Sequence, residues 1–303
     1  GEQDPIEWAK DYAKELTQKE KRSMKKISLN CSPTQLIDLN SRRSCNAGYL
    51  FLQDIYYSLG LKNICDTISE KYKFKYNLNE ILSMLVYSRI LVPGSKRASL
   101  SDAEKFLEQP KADLHQVYRA LEVLAKENDS IQAELYKNSQ QVLERKKGIL
   151  YYDCTNYYFE IEEEDEFRKY GVSKEHRPNP IVQMGLFMDA DGIPLSFSLF
   201  EGNQNEQPSM TPLEKKIIKD FDSAEFVVCT DAGLSSTANR RFNNCNGRKF
   251  VTTQSIKKLK GFLREFCLGN DDWHLEGSSK TYKLNELDEK KDYEKVFYKD
   301  RWI

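Results

Sequence analysis

No stretch of this chain approaches the roughly 20 consecutive apolar residues that span a bilayer, and its N-terminus has no signal-peptide pattern. A cytoplasmic protein without a membrane partner is the expectation. There is no Cys-x-x-Cys and no paired histidine among only 3 His; the 7 Cys, at 31, 45, 65, 154, 229, 245 and 267, are odd in number and widely spaced. That pattern indicates neither a zinc site nor a disulfide framework, and the cysteines read as reduced thiols. An excess of one charge is missing too, since 46 Lys and Arg against 47 Asp and Glu leave a net charge of -1. This excludes a wholly basic nucleic-acid binder, but not local basic faces such as Arg42-Arg43, Lys96-Arg97, Arg145-Lys146-Lys147, Arg240-Arg241 and the cluster of Lys257, Lys258 and Lys260.

What is present is a soluble globular composition, 39% hydrophobic and 31% charged over 303 residues, enough for one large domain or two to three smaller ones. The first half reads as helical. Residues 5–26 are rich in Lys and Glu and suit a surface helix or arm. Leu50, Phe51, Ile55 and Leu59 fall at helical spacing before Gly60, and the aromatic stripe Tyr49, Phe51, Tyr56, Tyr57 reads as core. Leu78, Ile81, Leu82 and Leu85 make a second stripe, ended by Pro93-Gly94. Leu114, Val117, Tyr118, Leu121 and Leu124 make a third, with Asp113 as N-cap, and residues 130–147 make a further helix. Four or five helices with almost no strand signal follow.

The second half alternates. In "GILYYDCTNYYFE", residues 148–160, Asp153 interrupts a run with the character of a buried strand. A carboxylate there is held by hydrogen bonds, paired with a cation or bound to a metal ion, because an unpaired buried charge is costly. Residues 182–188 and 195–200 read as two strands joined at Asp191-Gly192, a hairpin turn signal. Thr211, Pro212 and Glu214 read as N-cap, first helical residue and capping-box partner. The helix leads into "EFVVCT", apolar enough for a central parallel strand, with Asp231 immediately after it. A hairpin and a crossover helix can bring this fourth strand parallel to the first, making Asp153 and Asp231 neighbours. Two close carboxylates repel unless something positive lies between them, and a divalent ion answers that need.

The segments "YYDCTNYYFE", "YGVSKEHRPNPIVQMGLFMDADGIPLSFSLFEGN" and "VVCTDAGLSS" together resemble the DDE transposases of bacterial insertion sequences. The similarity runs from about Gly148 to Gln254, with a weaker likeness in "CNAGYLFLQDIYYSLGL" and "SRILVPGSKRAS". The resemblance implies an α+β or α/β architecture: a helical N-terminal region (1–147), a candidate DNA-binding part, a ribonuclease-H-like mixed-sheet core (148–254) and the start of a β-rich insertion (255–303). It implies DNA cleavage and strand transfer at insertion-sequence ends, with Asp153 and Asp231 as the first two acids of a triad holding two Mg²⁺ or Mn²⁺ ions. Lys174, His176 and Arg177 lie in the family-like "SKEHRP" loop, either contacting donor phosphates or forming a surface loop braced by Pro178; Lys174, Arg177 and Asn156 are the candidate DNA contacts, and Asn156 and Thr155 either position Asp153 or touch phosphate. His176 suits Mg²⁺ poorly as a ligand, since that hard ion prefers oxygen. Cys154 and Cys229 read as small buried residues rather than ligands, and Gly202 and Asn203 as shaping the loop after the third strand. The family's third acid is a Glu on a helix reading Tyr, two residues, Arg, three residues, Glu. Tyr298 and Arg301 match its start, but the Glu position lies two residues past Ile303, and "YEKVFYKDRWI" reads as a strand. Partners implied are insertion-sequence ends, target DNA and a second copy in a synaptic complex, in a bacterial nucleoid-associated setting. Two other readings stay open: a remnant that binds DNA or a sister transposase without cutting, and another ribonuclease-H-like nuclease.

Overall fold

The computed structural model describes residues 44–221 and 225–301, together with Lys10 and Tyr12. The surface helix or arm expected over residues 5–26, Cys31 and the Arg42-Arg43 pair lie outside the described residues, apart from Lys10 and Tyr12. The chain divides after Arg145 into two compact units. Among the described residues no helix is long and apolar enough to cross a membrane.

The first unit carries α1 (Tyr49–Ser58), α2 (Leu61–Tyr72), α3 (Leu78–Leu91), α4 (Lys96–Ala103), α5 (Leu114–Lys126) and α6 (Asn128–Val142). Gly60 links α1 to α2 at φ +68, and a Cβ there would collide with the Asn138 side chain. Asn77 caps α3 by accepting from Glu80 N at 3.2 Å. Asp113 N donates to Gln116 Oε1 at 2.9 Å, one arm of the capping box at the start of α5. The core centres on Tyr49, Tyr56, Cys65, Leu78, Ile81, Met84 and Tyr87.

The face of α1 differs from the expected one. Tyr49, Gln53 and Tyr56 are buried at spacings of four and three, whereas Phe51 is 83% exposed and Ile55 55%. Phe51 stands two residues from Tyr49, on nearly the opposite side of a 3.6-residue turn, so the two cannot share one buried stripe. Arg145 is likewise no part of a basic surface: it is buried, its guanidinium donating to Ser139 Oγ at 2.8 Å and lying 5.4 Å from the Tyr136 ring centre.

The second unit is built on a five-stranded mixed sheet in the order β3-β2-β1-β4-β5. β1 (Ile149–Tyr158), β2 (Ile181–Asp189) and β3 (Pro194–Glu201) form an antiparallel meander, while β4 (Val227–Thr230) runs parallel to β1 and β5 (Lys249–Thr252) parallel to β4. A helical region followed by a mixed sheet is the α+β order the sequence led to, with the fourth strand beside the first. The turn between β2 and β3 closes on Asp189, whose side chain accepts from Asp191 N and Ile193 N while Gly192 takes φ +76.

One face of the sheet meets α7 (Met210–Asp220), with Leu213 and Ile217 buried. Gly185 on β2 leaves room for the Tyr152 ring, whose hydroxyl bonds Ser209 Oγ at 2.6 Å. The capping box expected at Thr211 does not form. A short 3-10 helix, Gln207–Ser209, runs directly into α7, so Thr211 is already helical. Its hydroxyl instead donates to Asn239 Oδ1 at 3.3 Å, and Glu214 turns inward. Further along lie α8 (Thr237–Phe242), α9 (Gly261–Leu268) and a small sheet of β6 (Trp273–Leu275), β7 (Thr281–Tyr282) and β8 (Phe297–Tyr298). Tyr298 is thus on a strand.

Candidate active site

β1 alternates, and the alternation decides how Asp153 stands. Leu150, Tyr152 and Cys154 face inward, while Ile149, Tyr151 and Asp153 are exposed. The sequence suggested a buried carboxylate; the structure puts it on the solvent side, because Ile149 and Tyr151, apolar as they are, line the outer face. Asp153 therefore bears no large desolvation cost, and its Oδ1 accepts from Cys154 N at 2.8 Å.

Asp231 follows the last residue of β4. Its backbone remains extended, at φ -76 and ψ 177, and its Oδ1 accepts from Leu234 N at 3.1 Å to cap a short 3-10 helix, Ala232–Leu234. The β1–β4 register pairs Ile149 with Val227, Leu150 with Val228 and Tyr151 with Cys229, a constant offset of 78 residues. The ladder ends there, and Asp153 and Asp231 each lie two residues beyond its last pair, separated by the same 78 residues. Tyr151 and Asp153 are exposed on β1, and Asp231 is exposed just after β4.

The turn bearing Asp231 is held from behind. Asn239, 2% exposed, donates through Nδ2 to Leu234 O at 2.9 Å and to Gln207 O at 3.0 Å, and Gln207 Nε2 donates to Gly233 O at 2.9 Å. Thr252 on β5 donates to Asp231 O at 3.0 Å. Deeper, Glu214 is fully buried, accepts from Asn243 Nδ2 at 3.0 Å and stands 3.9 Å from the Arg248 guanidinium. Burial pushes its carboxyl up to about 7, against the opposing pull of Asn243 and Arg248. Nothing in the sequence signals Asn239 or Gln207, whose roles exist only once α7 and α8 are packed.

Asn156 and Lys174 come together. Lys174 N donates to Asn156 Oδ1 at 3.3 Å, Asn156 Nδ2 donates to Val172 O at 3.4 Å, and the Lys174 ammonium donates to the carbonyl of Cys154, the residue after Asp153. Arg177 lies 5.0 Å from the Tyr158 ring centre and 3.8 Å from Glu175. His176 takes a left-handed backbone at φ +55. The loop thus sets positive charge along the second half of β1.

Cys154 is buried beside the Tyr152 hydroxyl and Cys229 is half-buried; burial pushes both thiols up, which suits inert residues. Gly171 and Gly202 mark a close crossing: a Cβ on Gly171 would run into the Gly202 carbonyl, and one on Gly202 into the carbonyls of Ile181 and Lys169. These two residues of the transposase-like segments therefore have a packing role.

Asp153 and Asp231 each engage a backbone N–H through Oδ1, and Oδ2 of each has no hydrogen-bond partner among the described residues. Two exposed oxygen donors fit a hard divalent cation. Among the described residues no group of three or more His, Cys, Asp and Glu side chains is placed to hold a metal.

No family model matches this chain, and no curated protein matches it. Among solved structures it is similar to a piggyBac transposase in a synaptic complex with hairpin DNA, at 9% identity and TM-score 0.33, over 62% of this chain and 42% of that one. It is also similar to the Mos1 transposase in a paired-end complex with the left transposon end, at 10% identity and TM-score 0.27, over 84% and 70%. A third similarity is to the Mos1 mariner paired-end complex with Mn, at 10% identity and TM-score 0.25, over 81% and 68%. The matched part spans less than half of the piggyBac chain. At these scores the reading of the site rests on its own geometry.

Proposed function

We propose that this chain is a transposase of the DDE type, acting in metal-dependent phosphodiester cleavage and strand transfer at insertion-sequence ends. The observation that supports the reading is the β1–β4 pairing at a 78-residue offset, the offset that also separates Asp153 from Asp231. Asp153 and Asp231 would hold Mg²⁺ or Mn²⁺ through their oxygens. Such an ion, when bound, lowers the pKa of water or a 3′-hydroxyl and stabilises the leaving oxygen of the scissile bond. The chain's own part is to fix the two carboxylates. A strand ladder holds the backbone of one, and the Asn239–Leu234 bond braces the turn of the other. Lys174 and Arg177 would neutralise donor-strand phosphates along the same strand.

Nicking of supercoiled plasmid in Mn²⁺, run beside a DNA-binding measurement, tests the reading. Cleavage lost in Asp153→Asn and Asp231→Asn with binding retained supports it; cleavage retained in both contradicts it. The two-ligand donor set also suits a chain that binds DNA without cutting, and wild-type binding without nicking would favour that reading.

A further inference from the structure

The sheet has two unlike faces at β1. The Tyr152 hydroxyl bonds Ser209 at the start of α7, so the alternate residues Tyr151, Asp153 and Tyr157 stand on the opposite face, and all three are exposed. Their antiparallel neighbours on β2 share that face: Met188 lies opposite Tyr151 and Leu186 opposite Asp153, and both are half-buried. Leu199 on β3, paired with Met184, continues it at 49% exposed. The solvated face of an antiparallel sheet is ordinarily polar. This one is apolar and aromatic around the Asp153 carboxylate, the character of a surface that binds a partner.

Two rings flank the carboxylate. Tyr151 is 41% exposed and Tyr157 50%, and neither stacks on another ring among the described residues. The Tyr157 hydroxyl donates to Met184 Sδ at 3.8 Å, which tethers that ring to the sheet. At about 3.3 Å per residue, Tyr151 lies about 7 Å from Asp153 along β1, and Tyr157 about 13 Å away on the other side. A row of ring, carboxylate and ring suits a chain of bases joined by phosphates, because every base has a face that stacks on an aromatic side chain. The Lys174 ammonium at the Cys154 carbonyl and the Arg177 guanidinium at the Tyr158 ring add the positive charge that a nucleic-acid backbone needs. A protein laid across this face would instead bury Asp153 against Leu186, which is unfavourable unless a cation comes with it. A duplex keeps its base faces within its own stack, so only unpaired bases reach the two rings.

We propose that Tyr151 and Tyr157 stack unpaired bases of a DNA strand whose phosphate meets Asp153, so that this sheet face positions a single strand rather than a duplex. The inference rests on the reading of Asp153 as a ligand at the scissile phosphate. The test is fluorescence anisotropy of the whole chain with a labelled single strand of about 12 nucleotides and with the matching duplex. The proteins are the wild type, Tyr151→Ala, Tyr157→Ala and Tyr151→Phe, with melting curves and sedimentation alongside. Each alanine variant should bind the single strand about fivefold more weakly or worse, change duplex binding by less than about twofold, and keep the wild-type melting temperature. Tyr151→Phe should bind as the wild type does, since stacking uses the ring face. Failure of the wild type to bind the single strand, unchanged affinity in both alanine variants, equal weakening toward single strand and duplex, or a Tyr151→Phe as weak as Tyr151→Ala overturns the proposal. So does self-association that falls in the alanine variants while DNA binding stays the same, which would give the face to a second copy of the chain. Nicking by Asp153→Asn and Asp231→Asn separates the two readings. A tyrosine effect in a protein that still nicks without either acid overturns the cleavage reading alone, and no tyrosine effect in one that loses nicking overturns the stacking alone.

Discussion

The side-chain amide of Asn239 donates to the carbonyl of Leu234, the residue whose own N–H donates to Asp231 Oδ1. Asn239→Ala removes that buried bond and the part-buried one to Gln207 O. The expected cost is about 2–3 kcal/mol in urea unfolding, with faster exchange of the Leu234 amide. Unchanged exchange at Leu234 would mean that the turn is held by other contacts.

Glu214 gives the fold a pH dependence of definite sign. Its folded carboxyl is raised to about 7 by burial. Its contribution is therefore fully present below the ordinary carboxylate range and is lost as pH rises through about 7. Urea midpoints should fall between pH 5 and pH 8, and Glu214→Gln should flatten that fall. The same slope in both proteins would show that the carboxyl is already ionised at pH 5.

Gly202 and Gly171 cross too closely for any side chain, and the atoms in the way are backbone carbonyls. Gly202→Ala should destabilise by about 3 kcal/mol, read as a lower denaturant midpoint. A smaller loss, within about 0.5 kcal/mol, would mean that the loop shifts freely.

Much of this architecture is legible locally. Asp191-Gly192 announces the hairpin, and the apolar run before Asp231 announces a strand that the crossover can bring back parallel to the first, as it does. Phe51 and Asp153 were misread for one reason: an apolar run hides its own alternation, so which residues face inward depends on what covers each side. Thr211 matches an N-cap signature, yet Gln207–Ser209 already starts the helix upstream. Asn239 carries no local pattern and the capping-box pattern at Glu214 points elsewhere, since the partners of both come from other helices and loops.

Lys174 and Arg177 lie along β1 with exposed side chains. If they meet DNA phosphates, Lys174→Ala and Arg177→Ala should each weaken binding across sequences and reduce the slope of log affinity against log salt by about 1. Fluorescence anisotropy over a salt series reads this directly. Slopes equal to the wild type in both variants would remove the loop from the DNA interface.

Asp153 and Asp231, separated by the same 78 residues as the β1–β4 pairs, are proposed to act as one cation site. Calorimetric titration of Mn²⁺ into the wild type, Asp153→Asn, Asp231→Asn and the double variant tests it most directly. Each single variant should lose the binding seen in the wild type, and the double variant should lose no more than either, the non-additivity of two ligands on one ion. Wild-type affinity retained in either single variant would show that the two carboxylates do not share an ion, and would contradict the account.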